Sequence, residues 1–237
     1  MTAIPLALIG MGKMGRAIAA LAPERGFEVV ATIDAVHGTA TSVTRETLHG
    51  AAVAIEFTAP DAAVANVRAC VDAGCPVVVG TTGWYAQLDA VGADVRARDG
   101  AMLTAPNFSV GVAIFDRVVA EAARLFANVS GFDAHMIETH HTAKKDAPSG
   151  TAASLAKSAE AASGHAMPIT SVRVGSVPGT HEVIFDGAFE QVRLVHEARD
   201  RRVFAEGALT AARWLVGKQG VFTMQDVLST TSPDAHR

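Results

Sequence analysis

The chain has 237 residues, 49% of them hydrophobic, so it can bury the core of one large domain or two modest ones. A formal net charge of -4 gives no reason to expect nucleic acid, whose binders usually carry a basic face. No apolar run reaches the roughly 20 residues that a membrane helix needs. The first residues lack the basic segment of a signal peptide, and two cysteines, Cys70 and Cys75, are too few for a disulfide framework. We therefore expect a cytoplasmic enzyme or binding protein with reduced cysteines.

Up to about residue 104 the chain alternates between apolar strands and helices. Strands are predicted at Ile4–Ile9, Phe27–Ile33, Val53–Phe57 and Val77–Val79, with a fifth before Ala105. Helices are predicted over Met14–Leu21 and over Ala62–Ala73, the second capped by Asp61. This alternation predicts a doubly wound α/β domain.

After residue 109 the pattern changes to α+β. Apolar residues at four-residue spacing from Val110 to Phe126 predict a helix with Ser109 as its N-cap. Strands are then predicted over Phe132–Glu138, Ser171–Val174, Glu182–Phe185 and Gln191–His196, with a helix over Thr151–Ser163. A last helix, Ala205–Val216, is expected to pack back on the first domain. We thus predict a first domain over residues 1–109, completed by 205–237, and a second over 110–204.

A glycine-rich turn joins the first strand to the first helix. Gly10-Met11-Gly12-Lys13-Met14-Gly15 follows an apolar strand, and Asp34 ends the next strand about 20 residues on. In such a turn Gly10 permits the tight bend, Gly12 lets a pyrophosphate approach the backbone, and Gly15 lets the helix pack closely. The pattern predicts a Rossmann-type dinucleotide-binding domain, with the pyrophosphate on the helix N-terminus and Asp34 on the adenosine ribose.

The residues around Asp34 bear on the choice of cofactor. A carboxylate there repels a 2′-phosphate, and Ala35 supplies no arginine to neutralise one, although Lys13 partly offsets this. We expect NADH to be used well and leave the use of NADPH open. Two loops at the ends of later strands, Gly80–Gly83 and Ala105–Ser109, are candidates for the nicotinamide pocket or ordinary structural turns.

The densest set of chemically active residues lies between Glu138 and Thr151. His140, His141, Lys144 and Lys145 precede Pro-Ser-Gly-Thr, which opens a helix with Ser149 as a potential cap. Amides at the start of that helix, near two histidines and two lysines, would form an electropositive site for carboxylates. A histidine there could also donate a proton near neutral pH. No cysteine or carboxylate lies at ligand spacing, so we predict no metal site; a solvated basic surface is the alternative.

With these motifs the chain resembles the 4-hydroxy-tetrahydrodipicolinate reductase family, also called dihydrodipicolinate reductases. The resemblance spans nearly the whole chain, and its most specific part is Glu138–Lys144 followed by Asp146–Ala152. The other matching segments are Gly10–Gly15, Val79–Gly83, Pro106–Gly111, Phe204–Ala208 and Ala212–Leu215. The resemblance implies an NAD(P)H-dependent reduction of a cyclic imine dicarboxylate, with loss of water, in diaminopimelate and lysine biosynthesis.

The resemblance also implies roles for individual residues. His140 and Lys144 would be the proton donors, while His141, Ser149, Gly150 and Thr151 would hold substrate carboxylates. The implied cofactor contacts are Gly10, Met11, Gly12, Lys13, Met14, Asp34, Gly80, Thr81, Thr82, Ala105, Pro106, Asn107 and Phe108. Members are typically homotetramers joined through the second domain, which would then serve both substrate binding and oligomerisation.

Two other functions fit part of the pattern. Another two-domain Rossmann dehydrogenase would share the glycine turn but has no need of His140-His141 and the Ser149-Gly150-Thr151 turn. A dinucleotide-sensing regulator would bind NADH without turnover and would need a partner or a DNA-binding element, and no basic helix is visible. Turnover of the imine substrate separates all three.

Overall fold

The structure, a computed structural model, describes residues 2–229. The strands are β1 Ile4–Ile9, β2 Phe27–Ile33, β3 Val53–Glu56, β4 Val77–Val79, β5 Ala101–Thr104, β6 Phe132–His140, β7 Ile169–Arg173, β8 Thr180–Gly187, β9 Gln191–Glu197 and β10 Gly220–Phe222. The helices are α1 Lys13–Leu21, α2 Pro60–Asp72, α3 Leu88–Ala97, α4 Val110–Phe126, α5 Gly150–Ser163, α6 Arg202–Leu215 and α7 Met224–Ser229. The chain falls into two compact units, one formed by residues up to Ser109 with those from Arg202 onward, the other by Val110–Arg201.

The first unit is built on a parallel sheet. Its strand order is β10-β5-β4-β3-β1-β2, and each neighbouring pair is parallel. The central strands are buried along their length, as strands covered on both faces must be. Ala7 and Ile9 of β1 join a core cluster with residues of α2 and α3, and helix α6 packs on α1 and on β3 to β5. This confirms the predicted Rossmann-type architecture.

Three elements of this unit were not predicted from the sequence. Helix α3 lies between β4 and β5, and its mid-helix Gly92, which lowers intrinsic helix propensity by about 1 kcal/mol, packs near Val221 of β10. The short elements β10 and α7 follow α6. The predicted cap of α2 was wrong: the helix starts at Pro60 with Ala59 as N-cap, and Asp61 lies within its first turn. Proline is favoured at that first position because its missing N–H would have no helical partner there.

The second unit is a four-stranded mixed sheet with two helices. The order is β7-β6-β8-β9, with β6 and β7 parallel and the other pairs antiparallel. Helices α4 and α5 pack on each other, and one face of the sheet joins their core through side chains such as Met136, Val183 and Phe185. Alternation along β6 therefore places Glu138 and His140 on the same face as Met136.

Candidate active site

The glycine-rich turn of the first unit is shaped by backbone contacts. Gly10 has φ +92°, and a methyl group on it would overlap the carbonyl of Phe57. A methyl group on Gly15 would likewise overlap the carbonyl oxygen of Gly10. By contrast, no described atom lies within 4 Å of the position a Gly12 Cβ would take. The open side of the turn is thus at Gly12, where close approach of a ligand was predicted.

Helix α1 starts at this turn without a side-chain acceptor. Gly12 is its N-cap, and among the described residues no side chain caps it and no acidic residue lies in its first turn. Lys13 and Met14 form the first positions of the helix, and Lys13 is exposed. Uncapped amides at a helix N-terminus favour an anion, so the turn can receive a phosphate.

Asp34 lies at the end of β2, directly beside the turn. Its Oδ2 accepts a hydrogen bond of 2.8 Å from the Met11 N–H, and its Oδ1 accepts from the N–H groups of Val36 and His37 at 2.9 and 3.0 Å. These backbone hydrogen bonds lower the pKa of Asp34 to about 2, so the carboxylate is charged at neutral pH. Sequence reasoning placed Asp34 on a ribose and missed that it also ties down the glycine turn.

The two later loops meet at the carboxyl edge of the sheet. Gly80 lies against the ring of Phe57, which makes an edge-on contact with Phe108 at 5.9 Å between ring centroids. The buried Thr81 accepts a 2.7 Å hydrogen bond from the N–H of Thr58. Of the other predicted cofactor contacts, Thr82 and Pro106 are exposed, Ala105 is buried, and Asn107 accepts a hydrogen bond from the Ser109 N–H at 2.8 Å.

A buried carboxyl group, Glu56, was missed by the sequence analysis. It ends β3, is fully buried, and accepts hydrogen bonds from the hydroxyl and the N–H of Thr58. Burial raises the pKa of Glu56, although hydrogen bonds with Thr58, Thr81 and Asn66 oppose this. Glu56 was missed because it lies in an otherwise apolar strand. Thr58, two residues later, was the local signal that could have indicated its hydrogen bonds.

In the second unit, His140 ends β6 in a largely buried position. Its Nδ1 contacts the carboxylate of Glu138, and its ring lies edge-on to that of His181, 5.4 Å away. Burial lowers the pKa of His140, while the neighbouring Glu138 carboxylate acts in the opposite direction. The site thus holds an imidazole with one ring nitrogen engaged by a carboxylate.

Glu138 is a residue whose role sequence reasoning missed. It is fully buried, and its Oε1 accepts hydrogen bonds from Arg173 Nη2 at 2.7 Å and from the Ser149 N–H at 3.3 Å. Burial opposes its ionisation, yet hydrogen bonds from Arg173, Ser171 and His140 outweigh burial and lower the pKa of Glu138 to about 2. Arg173 Nη2 also donates to the carbonyl oxygen of Asp146 at 2.6 Å.

The loop after β6 carries the remaining predicted side chains. Lys144 Nζ donates to both carboxylate oxygens of Asp146, at 2.8 and 2.9 Å, and these hydrogen bonds lower the pKa of Asp146. His141 is half-buried; its N–H donates to the Val177 carbonyl, and its Nε2 lies 3.3 Å from Arg201 Nη2. The structure therefore brings His140 and Lys144 into one unit, each beside its own carboxylate.

Helix α5 starts at the predicted anion-binding turn. The Ala147–Pro148 peptide is cis, and Ser149 caps the helix as predicted, its Oγ accepting from the Ala152 N–H at 3.1 Å. The same Oγ lies 3.3 Å from His181 Nε2 and is buried. Gly150 is exposed at the first helical position, where its N–H donates to Asp146, and Thr151 follows it half-buried.

Two further histidines, the buried His181 and the half-buried His196, lie in register with Glu138 across the sheet. Burial, with smaller contributions from His140 and His196, lowers the pKa of His181 to about 4. The alternation of residues along β8 and β9 places both histidines on the inner face of the sheet, and this pattern could have identified them from the sequence. Within residues 2–229 no group of three or more His, Cys, Asp or Glu side chains could hold a metal ion. In the same range no helix is long and apolar enough to cross a membrane.

A parallel sheet with an open glycine turn at an uncapped helix is typical of dinucleotide-binding oxidoreductases, and the second unit adds a buried histidine beside a buried carboxylate. Comparisons narrow this class. The family described as dihydrodipicolinate reductase matches with its N-terminal domain over residues 4–108 and its C-terminal domain over residues 111–228. The chain therefore belongs to the dihydrodipicolinate reductase family.

Individual relatives agree with this assignment. A 4-hydroxy-tetrahydrodipicolinate reductase of Christiangramia forsetii is 33% identical, over 94% of this chain and 97% of its own. One of Methanoculleus marisnigri is 40% identical, over 74% of this chain and 75% of its own. Among solved structures, the dipicolinate-bound dihydrodipicolinate reductase of Paenisporosarcina sp. TG-14 has a TM-score of 0.79 at 23% identity, covering 94% of this chain and 98% of that one.

Proposed function

We propose that this protein is a 4-hydroxy-tetrahydrodipicolinate reductase. It would reduce a cyclic imine dicarboxylate with NAD(P)H, with loss of water from the hydroxylated precursor, and give tetrahydrodipicolinate for diaminopimelate and lysine biosynthesis. The observation that carries the proposal is the grouping of His140, Lys144 and the start of α5 in one unit of a chain from this family. The names of relatives that align along nearly the whole chain support the same reaction.

A nicotinamide cofactor, when bound, would supply the hydride for the substrate ring, and the protein would have to supply a proton. His140 is proposed as the donor because its Nδ1 is engaged by Glu138, which leaves Nε2 as the nitrogen to face substrate. Burial lowers the pKa of this imidazole. A dianionic substrate nearby would raise that pKa and load the imidazole with a proton when it is needed.

Lys144 is proposed as the second proton donor, which stabilises the developing negative charge or reprotonates the ring, and the α5 turn is proposed to bind a substrate carboxylate. Lys144 Nζ and the Gly150 N–H both bind the Asp146 carboxylate in this structure, so both can bind a carboxylate. The proposed ligand of the turn is a carboxylate of the substrate, bound by Gly150 with His141, Ser149 and Thr151, and Lys144 lies beside it. Because the Ser149 hydroxyl already caps α5, its contribution would come through the shape of the turn.

The cofactor is proposed to bind the first unit, with NADH at least as good as NADPH. The open side of Gly12 and the uncapped start of α1 support the pyrophosphate site. Asp34 supports the preference for NADH, because a carboxylate with a pKa of about 2 repels a 2′-phosphate at neutral pH. No metal is included in the proposal.

We further propose a cytoplasmic homotetramer assembled through the second unit. The face of its sheet turned away from α4 and α5 carries Ile137, Val172, Ile184 and Val195, and the two valines are 37% and 55% exposed. Exposed apolar side chains on a sheet face favour association with another copy, and His135 and the Glu182–Arg193 ion pair are polar groups of the same face. The free, buried thiols of Cys70 and Cys75 suit a reducing compartment. Light scattering after size exclusion would give the mass: four chains are expected, and a monomer would refute this assembly.

A coupled assay tests the proposed reaction. The unstable imine precursor is generated enzymatically in the cuvette, and oxidation of NADH or NADPH is followed by nicotinamide absorbance. We expect oxidation only when both precursor and enzyme are present. The control omits the generating enzyme, and amino and keto acids in place of the precursor test the rival dehydrogenase function. Cofactor binding without oxidation would instead favour a sensor and overturn the proposal.

A further inference from the structure

The buried carboxylate of Glu138 connects three parts of the second unit. Its Oε2 faces His140 Nδ1, two residues along the same strand. Its Oε1 accepts from Arg173 on β7 and from the backbone N–H of Ser149 at the start of α5. The two oxygens therefore differ in role, since one is directed at the imidazole and the other at the arginine and the turn.

Arg173 extends this connection to the loop that carries Lys144. It lies opposite His140 in the parallel register of β6 and β7 and reaches sideways to Glu138. The same Nη2 donates to the carbonyl of Asp146, whose side chain holds Lys144. One carboxylate and one guanidinium thus connect the imidazole, the lysine loop and the first turn of α5.

The other ring nitrogen of His140, Nε2, faces a glycine. Gly179 lies against Nε2: a Cβ at this position would be only 2.9 Å from that nitrogen, and its φ of +151° disfavours other residues. Nδ1 is therefore closed by a carboxylate, while the residue beside Nε2 has no side chain. This asymmetry resembles the way a carboxylate fixes the tautomer of a catalytic or metal-binding histidine.

A purely structural role would not need a charge at this place. A buried carboxylate and guanidinium are costly to desolvate, and an apolar pair of similar volume is often as stable. Met136, two residues earlier on the same face, shows that apolar side chains fill this layer. A buried charge at this place therefore points to a role beyond packing.

We propose that Glu138, held in place by Arg173, is a positioning residue that fixes the Nδ1–H tautomer of His140 and so presents Nε2 to the substrate. This inference rests on the proposed role of His140 as proton donor. Glu138 itself does not meet the substrate; it acts through the imidazole and, by its bond to the Ser149 N–H, through the carboxylate-binding turn.

The isosteric variant Glu138→Gln should change the tautomer of His140. The oxygen of the amide must take the Oε1 position, because Arg173 and the Ser149 N–H are both donors there. The NH2 group then faces Nδ1, and since it can only donate, Nδ1 must lose its proton. The neutral ring should switch to the Nε2–H tautomer, and the imidazolium, which carries protons on both nitrogens, should become unfavourable.

Replacing Glu138 or Arg173, two charged neighbours of His140, should shift the pKa of His140 in opposite directions. The groups that face it are Glu138 on its own strand, Arg173 on β7, His181 on β8 and Lys144 on the loop. Glu138 raises the pKa of His140, whereas Lys144 and Arg173 lower it. Glu138→Gln should therefore lower this pKa by about one unit or more, while Arg173→Gln should raise it without a change of tautomer.

The experiment combines imidazole ¹⁵N NMR of the full-length protein without substrate and the pH profile of kcat/KM. His140→Gln assigns the signals, and Glu206→Gln, which removes the 2.6 Å pair with Arg25 in the other unit, is the matched control. We expect Glu138→Gln to switch the tautomer, to move the alkaline limb to lower pH and to reduce kcat at least tenfold. Arg173→Gln should move the alkaline limb to higher pH. This variant also provides the test if Glu138→Gln does not fold. Glu206→Gln should change neither the tautomer nor the pH profile.

An unchanged His140 tautomer and pKa in Glu138→Gln would overturn the inference, as would limb shifts of the same sign in both variants. Failure of the proposed role of His140 as proton donor would give a different result. His140→Ala would then turn over substrate like wild type, whatever the NMR spectra of the Glu138 variant show.

Discussion

The two units prepare for their ligands with different kinds of atoms. In the first unit the groups at the proposed nucleotide site are mainly backbone: the turn at Gly10–Gly15 and the uncapped amides of α1. In the second unit they are ionisable side chains, His140 and Lys144, each held by a carboxylate. A backbone site binds its ligand only if no Cβ blocks the approach. A side-chain site depends on the charge of its groups and therefore on pH. The two should respond to different perturbations.

The largest expected effect belongs to the side-chain site. His140→Ala should lower kcat at least tenfold, since general acid catalysis contributes roughly 10²–10⁴-fold, while NADH affinity stays unchanged. Lys144→Ala should act in the same way, and the joint loss should be less than the product of the single losses. The matched control is the neighbouring His141→Ala, which should act mainly on KM. Steady-state kinetics and NADH titration measure all three.

The assignment of roles would be reversed if His141→Ala abolished kcat and His140→Ala did not. Normal turnover by all three variants would leave the loop as a basic surface and remove the contrast between the units.

The backbone site should instead be sensitive to a single methyl group. Gly15→Ala gains about 1 kcal/mol of helix propensity, but its Cβ would overlap the Gly10 carbonyl, and overpacking of this kind costs roughly 1–3 kcal/mol or more. Its Tm and its NADH binding should both fall. Gly12→Ala meets no described atom within 4 Å and should keep its Tm while losing NADH affinity. Thermal unfolding with and without NADH measures this, and equal Tm losses for the two variants would contradict the account.

Asp34 is the ionisable side chain on which the backbone site depends. Asp34→Ala should weaken NADH more than NADPH, because a hydrogen bond to a charged group, worth about 1.5–3 kcal/mol, is lost only with the free ribose 2′-hydroxyl. Both cofactors should weaken somewhat, since the Met11 N–H also loses its acceptor. Fluorescence titration with each cofactor gives the ratio. Far tighter NADPH binding by the wild type would show that Asp34 does not contact the ribose.

The smallest expected effect is on how the stability of the second unit depends on pH. The folded protein keeps His181 neutral, with a pKa of about 4, whereas the unfolded chain binds a proton below about 6.5. Because the folded pKa is the lower one, stability is lost as the pH falls from 6.5 towards 4, by about 1.4 kcal/mol per pH unit at most.

Urea unfolding at pH 7.5 and 5.5 should show this loss in the wild type and a smaller one in His181→Gln. His165→Gln, at an exposed position of the same unit outside its sheet, is the control and should behave like wild type. An identical loss in His181→Gln would mean that other groups cause it.

Features that depend on neighbours along the chain could be predicted from the amino-acid sequence. The apolar runs and their spacing predicted β1 to β4 and helices α1, α4 and α5 to within a few residues, and the glycines and Ser149 predicted both helix starts. Helix α3 was missed because Gly92 and scattered polar residues weaken its periodicity, although it packs against β10 in the folded protein. The family was recognised because its strongest motif is continuous.

The partners of the side chains, by contrast, depend on how distant segments pair in the folded protein. Glu138 and His140 are two residues apart, but Arg173 lies 35 residues from Glu138 and reaches it only because β6 and β7 pair in parallel in one register. His181 faces Glu138 through an antiparallel register in the same way. A strand shifted by one residue would turn these groups to the other face of the sheet. Burial and charge pairing, and with them the pKa values, follow from this register, which no local pattern in the sequence specifies.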